Sequence, residues 1–386
     1  MPLIKIKPYW IMIPVNRPLI APEDLLAVEA SLKDTFISGE IPVVKQMESM
    51  LAEVVQAKSA IAVSTGTAAL DLVYEAMDIS SDSEIISPTF TIISSISNAL
   101  RKGAKVTLVD SDPITWCMDS DIAANFVSKK TTAIVPVHIY GMSVDLNPIL
   151  ESTANTETLI IEDAAEALGA KYRNQPCGGI GDLGIVSFYA NKIVTGGEGG
   201  AILSNREDLT QKFRQLRNLA FSQERFVHNE LGWNSRISGL SASLINSQLQ
   251  RIPDLLKRKK EIGSRYLIGL EGHPWFQFPI LGNEYTENTF WVFGLLIKDK
   301  IRINAKYLSS LLLECGIETR RFFCPMHLQP LPSQIKSNFI IPKPMPVSEM
   351  LWENGLYLPS GLGNTNIEID YVIDQLWKLA KENKNV

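Results

Sequence analysis

Short apolar runs and longer amphipathic stretches alternate through the first half of the chain. The runs Ala60–Val63, Glu84–Ile86, Lys105–Val109, Ala133–Val137, Leu159–Asp163, Ile185–Tyr189 and Gly200–Ser204 are bounded by glycine, proline, hydroxyl or acidic residues. Runs of this kind predict strands buried on both faces. Between them, apolar residues recur at helical spacing. Val44, Met47, Met50, Leu51 and Val54 mark one face of a helix over Val43–Gln56. Further helices are predicted from Ala68 (Ala69, Leu70, Leu72, Val73), over Thr91–Leu100 and Asp119–Val127, and from Asn147. Upstream, Pro22-Glu23-Asp24 reads as a helix start, continued by Leu25, Leu26, Val28 and Leu32 and broken at Ser38-Gly39. Residues 1–20 are punctuated by Pro2, Pro8, Pro14 and Pro18 and predict extended chain. Strands separated by helices give a mostly parallel sheet, with ligand groups gathered at strand C-terminal ends.

The second half is patterned differently. A helix is predicted from Asp208, an irregular segment over 221–239, and a long helical stretch over Leu240–Arg265 interrupted near Pro253. A strand over Thr289–Lys298, a helix over Asn304–Cys315, a strand start at Ile317–Thr319 and a final helix over Ile369–Glu382 follow. We therefore expect a large α/β domain over 1–240 and a smaller α+β domain over 241–386. The basic run Lys257–Lys260 reads as a solvated helix face.

Composition narrows the function classes. The chain has 386 residues, 45% hydrophobic and 20% charged, with a net charge of −5. That balance argues against a nucleic-acid partner. Four scattered cysteines (Cys117, Cys177, Cys315, Cys324) suggest neither a disulfide framework nor a zinc site. The apolar patch Trp10–Val15 is interrupted by Pro14, so no signal peptide is read there, and no run is long enough to span a bilayer. The expected location is the cytoplasm.

Three features carry candidate chemistry. Ser64-Thr65-Gly66-Thr67 follows a strand and opens a helix, which is a natural anion site, although simple N-capping by the hydroxyls is the alternative. Asp163 ends a strand, where it could also cap a helix at Ala164; its acidic neighbour Glu162 is compatible with metal, but no histidine cluster supports that. Lys192 precedes a loop containing Gly196, Gly197, Gly199 and Gly200, too many glycines for regular structure. A phosphate site, a carboxylate and a placed lysine form the set that pyridoxal phosphate requires.

These stretches, with Glu162–Ala167, Ser187–Lys192, Gly197–Gly200, Pro136–Gly141, Gly232–Ile237 and Pro325-Met326-His327, resemble the DegT-type sugar aminotransferases over nearly the whole chain. The resemblance implies the aspartate-aminotransferase fold (pyridoxal-phosphate fold type I). It implies pyridoxal 5'-phosphate as cofactor, passing through the pyridoxamine form. Lys192 would be the Schiff-base lysine and proton shuttle, and Asp163 the partner of the pyridine nitrogen. Gly66, Thr67 and Ser187 would hold the phosphate, and Glu166 would stand near the cofactor's 3-hydroxyl. Asn234 would reach the phosphate of a neighbouring subunit, so a homodimer with shared sites is expected. Arg320 and His327 are the substrate-side candidates, with structural roles in the small domain as the alternative. Two departures stand out: Ile92 occupies a position that is usually aromatic, with Phe90 nearby, and Thr195-Gly196-Gly197-Glu198 replaces the commoner Thr-Thr-Gly-Glu.

The expected reaction moves an amino group from glutamate to a nucleotide-linked keto sugar. Asn191-Lys192-Ile193, Tyr140-Gly141 and Pro325-Met326-His327 narrow the resemblance, which then implies C4 of a GDP-linked 4-keto-6-deoxyhexose. A dTDP- or UDP-linked sugar aminated at C3 or C4 is the alternative. Two further rivals are a dehydratase of the same fold, in which histidine replaces the lysine, and a non-catalytic sensor. Lys192 argues against the first, and Lys192 with Asp163 against the second.

Overall fold

The computed structural model describes residues 12–382; the expected extended stretch around Pro2 and Pro8 lies outside the described residues. Two helices come first, α1 (Pro22–Lys33) and α2 (Pro42–Val55). The alternating region then supplies β1 (Ser59–Val63), α3 (Gly66–Ala76), β2 (Glu84–Pro88), α4 (Ser97–Arg101), β3 (Lys105–Val109), α5 (Ser120–Ala124), β4 (Thr131–Ile134), α6 (Asn147–Thr153) and β5 (Leu159–Asp163). A hairpin of β6 (Lys171–Tyr172) and β7 (Gln175–Pro176) precedes β8 (Leu183–Ser187) and β9 (Gly200–Ser204). Helices α7 (Glu207–Arg217), α8 (Gly239–Leu249) and α9 (Ile252–Gly269) lead to β10 (Phe276–Gln277), β11 (Phe293–Ile297), α10 (Ala305–Glu314) and β12 (Arg320–Arg321). The chain closes with α11 (Ser333–Lys336), β13 (Phe339–Ile340), α12 (Pro346–Asn354), β14 (Gly355–Leu358) and α13 (Asn366–Glu382).

The principal sheet has the order β1-β9-β8-β5-β4-β2-β3-β13. Its pairs are parallel except those made by β9, which runs against both β1 and β8. This is the expected mixed α/β architecture. The strands are short, apolar and almost wholly buried, as a sheet covered on both faces requires. A smaller antiparallel sheet, β10-β11-β14-β12, packs a second core in which Tyr266, Phe293, Leu308 and Leu376 are fully buried.

The expected boundary near residue 240 is crossed in several places. Helix α8 packs on α1 and α2. Strand β13 joins the edge of the large sheet beside β3. Ile13 bridges to Ile317.

Several elements differ from their predicted form. Thr91–Leu100 is not one helix: a 3-10 turn over Ile93–Ser95 gives way at Ile96 to the short α4. This break turns the hydroxyls of Thr91 and Ser95 inward, where both residues are buried. Helix α1 forms as predicted but buries Asp24 and Ser31, leaving Leu25 and Leu26 64% and 63% exposed. Asp24 is held by Arg251, Ser247 and its own capping contact with the Ala21 amide. Among the described residues no helix is long and apolar enough to cross a membrane.

Candidate active site

The ends of β1, β5 and β8 open on one cavity of about 480 Å³, within the size range of small-molecule and cofactor sites. At the first end, Thr65 is extended and its hydroxyl accepts from the Ala68 amide at 3.0 Å, so capping does occur. Gly66 and Thr67, the first helical residues, line the cavity; amides at these positions find no partner inside a helix. Packing is close here, and at Gly200 it demands glycine. A Cβ on Gly200 would lie 2.4 Å from the Thr65 carbonyl carbon, and one on Gly66 would lie 3.1 Å from Ser187 Cβ.

Asp163 ends β5 in full burial. Ser95 Oγ donates to its Oδ2 at 2.8 Å and the Ala165 amide to its Oδ1 at 3.2 Å. Ser95 is fixed in turn by Thr91 Oγ1 at 3.1 Å and by Tyr74 Oη, which donates to its carbonyl at 2.5 Å. No helix follows Asp163, which disposes of its capping role. Burial pushes its carboxyl up, while Ser95, the Ala165 amide, Lys192 and His138 pull it back. Glu162 plays no part in the cavity. It accepts the Gly178, Ile180 and Gly181 amides at 2.8, 2.7 and 2.7 Å and pairs with His138 Nε2 at 3.0 Å.

Lys192 stands in the loop between β8 and β9. Phe188 is fully buried beneath it and ties both limbs together, its amide to the Gly199 carbonyl and its carbonyl to the Gly196 amide. Gly197 and Gly199 take positive φ (+79° and +146°), which accounts for glycine at both. Gly196 has a different reason: a Cβ there would meet the Glu198 carbonyl and Ile245, both at 2.8 Å. The lysine amine lies 3.9 Å from Glu166 Oε1 and 3.8 Å from the centre of the Trp291 ring. Glu166 Oε2 accepts the Tyr140 amide at 3.2 Å. Burial pushes the Glu166 carboxyl up to about 7, with Lys192 and the Tyr140 amide opposing. Burial pushes the Lys192 amine down, with Glu166 and Asp163 opposing.

Of the residues singled out in the sequence, Gly66, Thr67, Ile92, Asp163, Glu166, Ser187, Lys192 and Arg320 line this cavity. Ile92 is half exposed at its wall, whereas Phe90 is buried among Tyr140, Phe322 and Phe323 and does not reach it. Arg320 lies beside Tyr357, whose phenol burial pushes up to about 12 and the arginine holds down. His327 is placed elsewhere, with Nδ1 2.8 Å from Thr89 Oγ1 after β2 and Nε2 3.1 Å from Glu349 Oε1 of α12, so its ring ties the large sheet to the small unit. Asn234 is exposed, bridged to Asn218, and is not among the residues lining the cavity of its own chain. Sequence reading missed Ser95, Trp291, Phe323 and Tyr357; only the hydroxyl run Thr91, Ser94, Ser95 offered a signal. A larger groove of about 940 Å³ lies between α9 and α13; Lys260 pairs with Glu287 and Arg265 with Asp370 there, and Lys257 and Asp374 also line it.

These residues fit pyridoxal phosphate. The α3 amides offer an anion site. Each Asp163 oxygen keeps acceptor capacity beyond its one contact, so a buried carboxylate awaits a further N–H donor. A buried amine with a depressed pKa is a competent nucleophile.

The DegT/DnrJ/EryC1/StrS aminotransferase family matches residues 18–377. The GDP-perosamine synthase of Caulobacter vibrioides is 33% identical over 89% of this chain and 91% of its own length. That of Escherichia coli O157:H7 is 30% identical over 94% and 97%. The crystal structure of the aminotransferase TlmJ from Streptoalloteichus hindustanus matches with a TM-score of 0.88 at 25% identity, covering 96% of this chain and 100% of that one.

Proposed function

Because the chain belongs to the DegT/DnrJ/EryC1/StrS aminotransferase family, we propose that it moves an amino group from glutamate to C4 of a GDP-linked 4-keto-6-deoxyhexose. The chain is a pyridoxal-phosphate-dependent sugar aminotransferase. The nucleotide and the position on the sugar are supported by the likeness to two GDP-perosamine synthases over nearly the full length of each. The observation that carries the reading is the single cavity joining Lys192, Asp163 and the Gly66–Thr67 helix start to Arg320 at its wall.

When bound, pyridoxal phosphate supplies an aldehyde that carries the amino group and a ring that stores the electron pair of the broken C–H bond. Gly66, Thr67 and Ser187 would hold its phosphate. Asp163 would keep its pyridine nitrogen protonated, with Ser95 orienting that carboxylate. Glu166 would serve its 3-hydroxyl side. Lys192 would bind the aldehyde and, once free, its Nζ would move a proton onto the sugar's C4. Arg320 binds the diphosphate, a charge-assisted contact remote from the reacting carbon. Binding energy from that remote contact positions the keto carbon at Lys192, so a free keto sugar is a very poor substrate.

A homodimer with shared sites belongs to this reading. Asn234 is exposed and does not line the cavity of its own chain, in keeping with service to a second copy. The exposed side chains Leu25, Leu26, Leu32, Phe36 and Ile37 offer an apolar face for that copy.

The test is to load the enzyme with the amino form of the cofactor and offer GDP-, UDP- and dTDP-linked 4-keto-6-deoxyhexoses in turn. Consumption of the amino form fastest with the GDP sugar supports the proposal. Preference for another nucleotide overturns the GDP assignment, and equal turnover of simple keto acids overturns the nucleotide-sugar reading.

A further inference from the structure

Trp291 arrives at the cavity from the smaller sheet, two residues before β11, and is only 3% exposed. Its Nε1 donates at 2.9 Å to the carbonyl of Asn191, the residue before Lys192. Asn16 Nδ2 donates to the same carbonyl at 3.1 Å. The face of the same indole lies 3.8 Å from Lys192 Nζ. One side chain therefore grips the backbone from which Lys192 projects and also meets the amine at its tip. The indole is itself fixed. Tyr140 stacks against it at a centroid distance of 6.1 Å, and the preceding loop is tied by the Thr289 amide to the Gly141 carbonyl at 3.1 Å and by the Phe290 amide to Asn288 Oδ1 at 2.7 Å.

We propose that Trp291 is a positioning residue for Lys192: its N–H holds the Asn191 carbonyl, and its ring face keeps the protonated amine over one spot in the cavity. An aromatic face attracts an ammonium and not a neutral amine. The device thus acts when the amine carries a proton, which is when its direction decides where that proton goes. Other charged groups bear on the same amine. Glu166 at 3.9 Å and Asp163 favour the ammonium. Glu198, Tyr189, Arg320 and Tyr357 line the same cavity, and Lys259 lies across a small void behind Asn191. The carboxylates hold charge without direction, since Glu166 sits beyond hydrogen-bond distance; the ring face and the bracketed carbonyl supply the direction.

The proposal rests on Lys192 being the amine that engages the cofactor. Borohydride fixation and peptide mapping test that reading by themselves, and fixation on another lysine overturns both. The role of Trp291 is tested on cofactor-free protein by trace acetylation across a pH series, with Lys192 labelling read by mass spectrometry. Wild type, Trp291→Phe and Trp291→Leu are compared after a thermal melt shows each folded. The labelling midpoint is expected to fall in the order wild type, phenylalanine, leucine. The leucine variant should drop by about one pH unit, a tenfold change in reactive amine, as loss of a desolvated cation–π contact implies. If the leucine variant does not fold, the phenylalanine variant decides, with an expected fall of roughly half a unit because its ring is the weaker partner. A midpoint unmoved in the variant that decides, or one that rises, overturns the role of Trp291 and leaves the assignment of Lys192 standing.

Discussion

Replacing Glu166 by glutamine should stabilise the cofactor-free protein, and the gain should grow with pH. The carboxyl is buried between Lys192, at 3.9 Å, and the Tyr140 amide, at 3.2 Å. Glutamine keeps an oxygen for that amide and carries no charge. The folded carboxyl is pushed up by burial to about 7 from an ordinary 4.5. Between those values the unfolded chain gives up its proton while the folded chain keeps it. Wild-type stability therefore falls as pH rises through that window, and the loss is complete above about pH 7. At about 1.4 kcal/mol per pH unit, the full loss is about 3 kcal/mol. Lys192 trims the gain from the substitution. Without the carboxylate its buried ammonium loses its nearest charged partner, and the amine, already pushed down by burial, releases its proton sooner. The net advantage of Glu166→Gln should then be near zero at about pH 5 and about 1–3 kcal/mol at about pH 8. Urea unfolding of cofactor-free protein at several pH values measures it. A difference that is flat with pH, or that favours wild type at the alkaline end, would refute the reasoning.

Asp163→Asn should leave the chain folded, since its Oδ1 can still meet a donor, yet slow the single-turnover reaction with glutamate by roughly a hundredfold or more. Nearly unchanged rates would reduce Asp163 to a turn residue. Gly200→Ala drives a methyl into the Thr65–Gly66 peptide, at 2.4 Å from the Thr65 carbonyl carbon. Overpacking of about 1–3 kcal/mol implies cofactor binding weakened about fivefold to a hundredfold, measured by equilibrium dialysis; unaltered affinity would detach this turn from the phosphate. Mixing Lys192→Ala protomers with Asn234→Ala protomers should restore activity, because each heterodimer would hold one intact site. Absence of recovery, with heterodimers demonstrated by mass, would contradict shared sites.

The strands of the large sheet were legible because strands covered on both faces are mostly apolar, and runs such as Ala60–Val63 fit that pattern. The glycines around Lys192 were legible as a loop, although the reasons differ by position: dihedral angle at Gly197 and Gly199, crowding by Ile245 at Gly196. What stayed hidden depends on partners far along the chain. Helical spacing showed that α1 has an apolar stripe at Leu25, Leu26 and Leu32, but nothing local reveals that Arg251 and Ser247 bury Asp24 instead. His327 looked available until folding brought Thr89 and Glu349 to its two nitrogens. Trp291 lay within an apolar stretch that reads as strand, so its reach to Asn191 and Lys192 had no signature. Ser95 was hidden by the helical reading of Thr91–Leu100, which the break at Ile96 overturns.

The most direct test of the central claim follows the nitrogen itself. The enzyme, supplied with pyridoxal phosphate, is incubated with nitrogen-15 glutamate and a GDP-linked 4-keto-6-deoxyhexose, and the sugar nucleotide is examined by NMR. The label should appear bonded to C4 of the hexose, with 2-oxoglutarate formed in equal amount. Label at C3, or an unlabelled sugar while glutamate is still consumed, would contradict the account.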